Sequence, residues 1–491
     1  MNPHRPADST ALLWFRRDLR LADQPALTAA LASGAKVIPC YIDAPEEEAP
    51  WSPGAATRWW LRGALESLDA ELRARGSRLV IRKGPTSAAL AQLIDETGAS
   101  AVYWNRLYEP ALIARDQSIK AELKASGVEA QTCNAAMLVE PWQLATQART
   151  PFRVFTPFWK GLSARFDQVP PCSVTPTVLP LVPAALTTLQ VADLGLLPKI
   201  PWTHGMSKAW DTSEHGAQMA LARLRDEAVA AYALDRDRPG REGTSRLSPY
   251  LHFGQIGPRQ ILHELRGSQA AAERIPAGAA DTFLRQIGWR EFAHYLLFHF
   301  PETPGQPFQP MFRGLPVRQD SAALNDWRRG RTGVPLVDAG MRELWETGWM
   351  HNRVRMVVAS FLTKNLGIHW LEGARWFWET LVDADLANNT MGWQWTAGCG
   401  ADAAPYYRIF NPVAQTERFD PEGKYLRRWL PELARLPDRW IARPWQAPPE
   451  ILRAAGVELG KSYRKPVVDL TISREQALAN YQTLRASTAL Q

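Results

Sequence analysis

The sequence predicts an α/β domain built on a Rossmann-like parallel sheet, followed by an all-α domain. Three observations predict it. Short β-rich runs alternate with amphipathic stretches from residue 11 to about residue 135. A Pro-rich stretch without clear periodicity occupies 136–205, and beyond 206 strand signals give way to helical ones. At about 150 residues per domain, 491 residues suffice for two or three sizeable cores. The expected organisation is therefore an α/β unit at 1–135, a linker at 136–205 and a helical unit at 206–491.

In chain order, ALLWF (11–15), VIPCYI (37–42), RLVIR (78–82), AVYWN (101–105) and EAQTC (129–133) read as strands. Between them, Thr57–Arg75 and Thr86–Thr97 carry apolar residues at helical spacing. Strands joined by crossover helices lie parallel. No G-x-G-x-x-G follows the first strand, so an ordinary dinucleotide loop is unsupported there. The run PPCSVTPTVLPLVPAAL (170–186) reads as a connector. Helices are expected at Glu214–Ala233, Ala279–Phe300 with Pro301 stopping it, Pro335–Asn365 and Gly373–Leu381.

Composition narrows the function. Hydrophobic residues at 46% and charged residues at 22% fit neither wholesale disorder nor a polytopic membrane protein. No apolar run reaches eighteen residues, and the polar start MNPHRPADST lacks a secretory core, so a cytosolic protein, not associated with membrane, is expected. Cys40, Cys133, Cys172 and Cys399 are scattered without metal-ligand spacing, so neither a zinc site nor disulfides are expected. A net charge of +7 favours polyanions if it is clustered. There are 21 Trp, nine of them between 289 and 395, a density that suits a padded helical core or stacking on bases or a flavin.

Four groups of residues carry chemistry. Thr244-Ser245-Arg246-Leu247-Ser248 precedes Pro249 and a helical run, placing hydroxyls, N–H groups and a cation where a diphosphate would bind, or where an ordinary cap would sit. Gln286, Trp289 and Arg290 fall at i, i+3 and i+4, so an amide, an indole and a guanidinium share one helix face. Such a face grips a base and a phosphate, or is a tryptophan packed under an arginine. Asn352 and Met356 are at i and i+4, with Arg353 and Arg355 between them. Asp383 and Asp385, in a loop, can face one ligand. A metal is a poor fit, because no further histidine or carboxylate lies nearby in sequence. An Arg355–Asp383 ion pair, with a carboxylate left for a sugar hydroxyl, is the better use.

These residues sit in long motifs that resemble the photolyase/cryptochrome family: TSRLSPYLHFGQI, IGWREF, GRTGVPLVDAGMREL, TGWMHNRVRM, DADLANNTMGWQW and DAAPYYRIFNP, with LLWFRRDLRLADQPAL near the start. The likeness implies an α/β antenna domain followed by an FAD-binding helical domain. It further implies light-driven repair of cyclobutane pyrimidine dimers flipped out of DNA, by electron transfer from photoexcited reduced FAD. Carried over by motif, Tyr232, Thr244, Ser245, Leu247 and Ser248 would hold the FAD phosphates and adjoining atoms. Arg355 would pair with Asp383 over the flavin ring, Asp385 would lie near the ring and ribityl chain, and Asn389 would face nitrogen-5. Gln286, Trp289, Arg290, Asn352, Arg353, Met356 and Trp395 would surround the lesion. Trp393 and Trp370 would begin a photoreduction relay.

The same likeness sorts the branches. Where 6-4 photoproduct enzymes have two histidines, this chain has Asn352 and Met356. Plant-type cryptochromes have Asp where Asn389 stands and lack the indoles matching Trp289 and Trp395; animal cryptochromes have Cys at the Asn389 position. Dimer repair is the implied function, with a blue-light photoreceptor as the alternative. Two departures stand out: Gln286 replaces a Glu of the dimer photolyases, and Val317 replaces the third relay tryptophan. Trp345, Trp349, Trp376, Trp378, Tyr406 or Tyr407 offers another electron exit. APEEE (44–48), TRWWL (57–61) and NRLYEP (105–110) resemble plant-cryptochrome-like bacterial photolyases, implying methenyltetrahydrofolate as second chromophore, or else a deazaflavin. No obligate protein partner is implied, and a monomer is expected.

Overall fold

The computed structural model describes residues 9–266, 275, 278–403 and 407–489. The polar start at 1–8 and Tyr406 therefore lie outside the described residues. Strands β1 (Thr10–Phe15), β2 (Lys36–Asp43), β3 (Val80–Lys83), β4 (Ala99–Asn105) and β5 (Glu129–Cys133) form one parallel sheet in the order β3-β2-β1-β4-β5. β1 is central because its run Ala11–Phe15 is apolar throughout and buried on both faces, as a doubly covered parallel strand must be. Leu12 pairs with Ile38 on one side and Val102 on the other. The crossovers are α1 (Pro25–Ala32), α2 (Ala55–Ala74), α3 (Thr86–Thr97) and α4 (Pro110–Ala125).

The Pro-rich connector is packed. Leu189 N–H donates to the Ile81 carbonyl (3.2 Å), and Ile81 N–H donates to Thr188 Oγ1 (2.8 Å). Arg82 donates to the Thr187 carbonyl (2.6 Å), and Arg78 to that of Leu186 (2.5 Å). The connector thus runs along β3 and covers the open edge of the sheet. It also contains a helix that the aperiodic reading of 136–205 misses, α5 (Phe155–Ser163), which buries Phe155, Phe158 and Leu162.

In the helical part, the elements that build the site are α6 (Ser248–His252), α7 (Pro258–Arg266), α8 (Ala279–His299), α9 (Pro335–Thr347), α10 (Asn352–Ser360), α11 (Trp370–Thr380) and α12 (Leu386–Ala397). The single helix expected over Pro335–Asn365 is broken. α9 ends at Gly348, whose φ of +67° is left-handed and whose missing Cβ would lie 2.7 Å from Val382. The chain then turns through Trp349 and Met350, and His351 Nδ1 accepts from Arg353 N–H (3.1 Å) to cap α10. Burial pushes the His351 imidazole down to about 4, which keeps that nitrogen an acceptor. Glu214–Ala233, also expected as one helix, is α-helical only to Arg223 and continues as a π-turn at Leu224–Ala228.

Trp60 Nε1 donates to Gln255 Oε1 (2.8 Å), Glu214 accepts from Leu21 and Ala22 N–H (2.8 and 2.9 Å), and Gly254 lies so close that a Cβ would meet the Arg17 carbonyl at 2.2 Å. These contacts seat the helical part on the α/β part. Among the described residues, no helix is long and apolar enough to cross a membrane.

Candidate functional site

The turn after α9 places Arg355 against the loop before α12. Val382 N–H donates to the Gly348 carbonyl (2.8 Å), and Glu343 Oε2 accepts from His351 N–H (3.2 Å) and Tyr425 OH (2.7 Å), so both segments are pinned. Arg355 Nη2 donates to both oxygens of Asp383 (3.0 and 2.9 Å), and its Nε to the Met350 carbonyl (2.8 Å). The Asp383 side chain is 4% exposed and that of Arg355 23%, so the pair offers its cationic end.

Asp385 caps α12, accepting from Asn388 N–H (2.8 Å) and Asn388 Nδ2 (2.6 Å). Its other oxygen lies 3.3 Å from His294 Nε2 and 3.9 Å from His252 Nδ1. Burial alone would raise this carboxyl, but His294, and His252 after it, hold it well below the usual carboxylate range. His294 Nδ1 faces the Arg290 carbonyl at 3.0 Å, so both ring nitrogens have acceptors and the imidazolium satisfies them. The histidines absent near Asp385 in sequence are thus supplied by α6 and α8. Among the described residues, no group of three or more His, Cys, Asp or Glu is arranged to hold a metal ion.

Arg246 adopts a left-handed φ of +53° and lies between two indoles, 4.2 Å from the Trp210 ring centre and 5.2 Å from that of Trp349. Its Nε is buried and has no protein partner. Ser245 Oγ accepts from Leu247 N–H (3.3 Å), Trp349 Nε1 reaches Ser248 Oγ (3.4 Å), and Thr244 accepts on its carbonyl from Arg223. α6 has only five residues, so its dipole is weak, and anion affinity here rests on the guanidinium and the hydroxyls. Tyr232 is buried edge-on to Phe283. Asn389 Nδ2 donates to the Ala374 carbonyl (3.0 Å), leaving its amide oxygen as acceptor. An orphaned guanidinium nitrogen, hydroxyls beside it, a cation on a carboxylate and a fixed amide fit a flavin dinucleotide.

Trp393 is seated where Gly373 leaves room, since a Cβ there would lie 2.0 Å from the indole. It is edge-on to Phe377 (5.0 Å) and Trp327 (6.2 Å). Trp370 is also buried and tilted against His369 (5.7 Å). Trp327 was not among the expected relay residues. Trp345 stacks on Trp202 (4.7 Å) and Trp376 (6.1 Å), while Val317 is exposed.

Two of the residues expected at the lesion are indoles on different helices. Trp289 lies flat on Phe155, with ring centres 3.6 Å apart and planes 8° apart. Trp395 Nε1 donates to the Asp402 carbonyl (3.1 Å). Gln286 Nε2 is 3.5 Å from the Thr282 carbonyl, a weak tether that leaves the amide free to turn. Asn352 is exposed at the start of α10, and Met356 packs at the edge of the core. Arg353 pairs with Asp237 (2.8 Å) and lies over Phe419 (4.3 Å). Arg290 shares the helix of Trp289, but its guanidinium donates to the Ala136 carbonyl (2.7 Å) and serves the linker. A groove of about 630 Å³ is lined by Lys160, Arg266, Arg285, Trp159 and Phe166, among others. In the α/β part, Glu48 pairs with Arg17, and Glu47 accepts from Thr86 N–H (2.7 Å).

Comparison with known proteins gives a consistent picture. Residues 11–177 match the family described as DNA photolyase, and residues 283–483 the FAD binding domain of DNA photolyase. A deoxyribodipyrimidine photo-lyase of Agrobacterium fabrum is 43% identical, over 97% of this chain and 98% of its own. Cryptochrome-2 of Arabidopsis thaliana is 41% identical, over 95% of this chain and 78% of its own. Among solved structures, a bacterial class III photolyase from Agrobacterium tumefaciens superposes with a TM-score of 0.94 at 42% identity, covering 99% of both chains. A Synechocystis cryptochrome follows at 0.87 and 30%, covering 96% of this chain and 99% of its own.

Proposed function

Because this chain belongs to the DNA photolyase family, we propose that it uses light and FAD to split cyclobutane pyrimidine dimers in DNA, with the residue roles that follow. The observation that supports the reading is the preformed Arg355–Asp383 pair, with Asn389 and Trp395 on the helix that follows Asp383. Bound in its reduced form, FAD supplies a light-excited electron for the lesion.

The protein's residues set the conditions for that transfer. Arg246, with Thr244, Ser245 and Ser248, holds the diphosphate, and Leu247 and Tyr232 close the adjoining apolar surface. Arg355 places positive charge by the anionic ring, and Asp383 keeps that charge in place. Asn389 offers an amide oxygen and no acidic proton, so negative charge is not quenched. Asp385, fixed by His252 and His294, orients α12, which carries Asn389, Trp393 and Trp395. Trp393, Trp370 and Trp327 carry reducing electrons inward.

On the DNA side, Trp289 and Trp395 form the walls for the flipped dimer, Asn352 and Met356 line the rim, and Gln286 donates to a pyrimidine carbonyl. Arg353 and Arg290, held by Asp237 and the linker, act through position. Lys160, Arg266 and Arg285 follow the flanking phosphates. The likeness at APEEE, TRWWL and NRLYEP supports methenyltetrahydrofolate as second chromophore, ahead of a deazaflavin, within an α/β unit at 1–135 that the 136–205 linker joins to the helical unit at 206–491.

The test is to incubate the reduced protein with dimer-containing DNA in blue light and in darkness and to count restored thymines. Restoration in light alone is expected. Flavin binding without light-dependent restoration would replace this reading with the photoreceptor one.

A further inference from the structure

We infer that His294 is a positioning residue that acts on the flavin through Asp385, offsetting that carboxylate so that an anionic ring can lie near it; the inference rests on the reading that places Asp385 near the flavin. The loop before α12 carries two buried carboxylates two residues apart, Asp383 and Asp385. Unmatched, either would repel a negatively charged ring. Arg355, from α10, matches Asp383. His294, from α8, stands to Asp385 as Arg355 stands to Asp383. Its Nε2 lies 3.3 Å from the Asp385 oxygen that Asn388 leaves free.

The geometry selects His294 for this task. Its Nδ1 faces the Arg290 carbonyl at 3.0 Å, and a ring that donates at both nitrogens carries a positive charge. His252 approaches the same Asp385 oxygen only to 3.9 Å, beyond hydrogen-bond distance. Its Nδ1 has no hydrogen-bond partner, and its ring lies edge-on to Phe253 (4.7 Å). Two guanidiniums of the surroundings are committed elsewhere. Arg17 pairs with Glu48 and Glu109, while Arg290 donates to the Ala136 carbonyl (2.7 Å) and lies 3.7 Å from Glu291. His294 and Asp385 are both buried, so salt and water screen their attraction little. The loop is thus two matched pairs, each made with a different helix, and it brings no net negative charge to the flavin.

His294→Gln offers an amide N–H in place of the ring N–H and removes the charge. The readout is the ratio of reduced to oxidised bound FAD in a redox buffer of fixed potential. In His294→Gln that ratio is expected to fall about tenfold, the order of effect of one unit charge removed from a buried pair. Asp385→Asn, which removes the negative charge instead, should raise it, and the variant that combines the two should return it close to the wild-type ratio. His294→Lys, which restores a cation, should do likewise. A wild-type ratio in His294→Gln, equal losses in the Gln and Lys variants, or a combined variant no better than His294→Gln would each overturn the role of His294. Should His294→Gln shed its FAD, the comparison is made on FAD retention, which the Lys and combined variants should regain; failure of both to regain it would overturn the role as well. If Asp385→Asn changed neither the ratio nor FAD retention, the placement of Asp385 near the flavin would fail instead.

Discussion

In the proposed site, Asp385 and Trp289 stand in surroundings that differ in kind. Asp385 is buried, and its oxygens are met by Asn388, His294 and His252. Trp289 is half-buried and held chiefly by one stacked ring. The inner half of the site consists of charges that the protein satisfies for itself, so its geometry is set by folding. The outer half consists of flat surfaces with few directional bonds, so it can accept a distorted, bulky ligand and reject it again. Changes in the inner half should therefore affect cofactor retention, and changes in the outer half the choice of DNA.

The largest expected effect is Asp383→Ala, which leaves the Arg355 guanidinium without its carboxylate. Removing one partner of a buried pair costs about 3–5 kcal/mol, and the partial exposure of Arg355 places this case toward the lower figure. Flavin should be lost on dialysis and the melting temperature should drop; full retention of both would break the distinction between the halves. Next comes Trp289→Ala. Stacking is worth roughly 1–3 kcal/mol per base, so preference for dimer-containing DNA should fall about 10- to 100-fold while salt-sensitive background binding changes little. Equal loss on damaged and intact DNA would make Trp289 a packing residue.

A smaller effect is expected from Gln286→Glu. Dark affinity should change by no more than the roughly 0.5–1.5 kcal/mol of one hydrogen bond, while repair per absorbed photon rises, because an acidic donor favours the charged intermediate. An unchanged or lower yield at equal FAD occupancy would remove the amide as the limiting feature.

A separate effect, read in stability against pH, lies where the linker meets α8. Glu291 is fully buried, accepts from Leu138 N–H (3.0 Å) on one oxygen and has no hydrogen-bond partner on the other, and burial raises it to about 7. A folded value above the unfolded one gives stability that is complete below about 4.5 and lost as pH rises through about 7. Glu291→Gln should therefore gain melting temperature relative to the wild type between pH 5 and pH 8. A constant difference across that range would show that Glu291 does not titrate there.

The sheet was legible because its strands are apolar runs separated by clear helical periods, and even the half-buried EAQTC falls on β5. The Arg355–Asp383 pair was legible as complementary charge. His252 and His294 were not, because nothing local marks residues of α6 and α8 as neighbours of Asp385. The break at Gly348 was hidden by apolar periodicity that continues on both sides of it. Phe155 was lost among prolines, although F-x-x-F-W at 155–159 is a short helical signal. Arg290 shows the limit of face reasoning, since helical spacing fixes the side on which a residue lies but not how far a long side chain bends.

The cover along β3 has a consequence for how this protein is made. The residues that shield that strand, Thr187 to Leu189, follow all five strands in the chain. During synthesis the sheet can assemble before its shield has left the ribosome, and for that interval β3 offers unpaired N–H and C=O groups to any neighbouring extended chain. A protein cut short after β5 would remain in that adhesive stage permanently. The hazard would be self-association on polysomes and in truncated fragments, relieved once Leu189 has joined the fold.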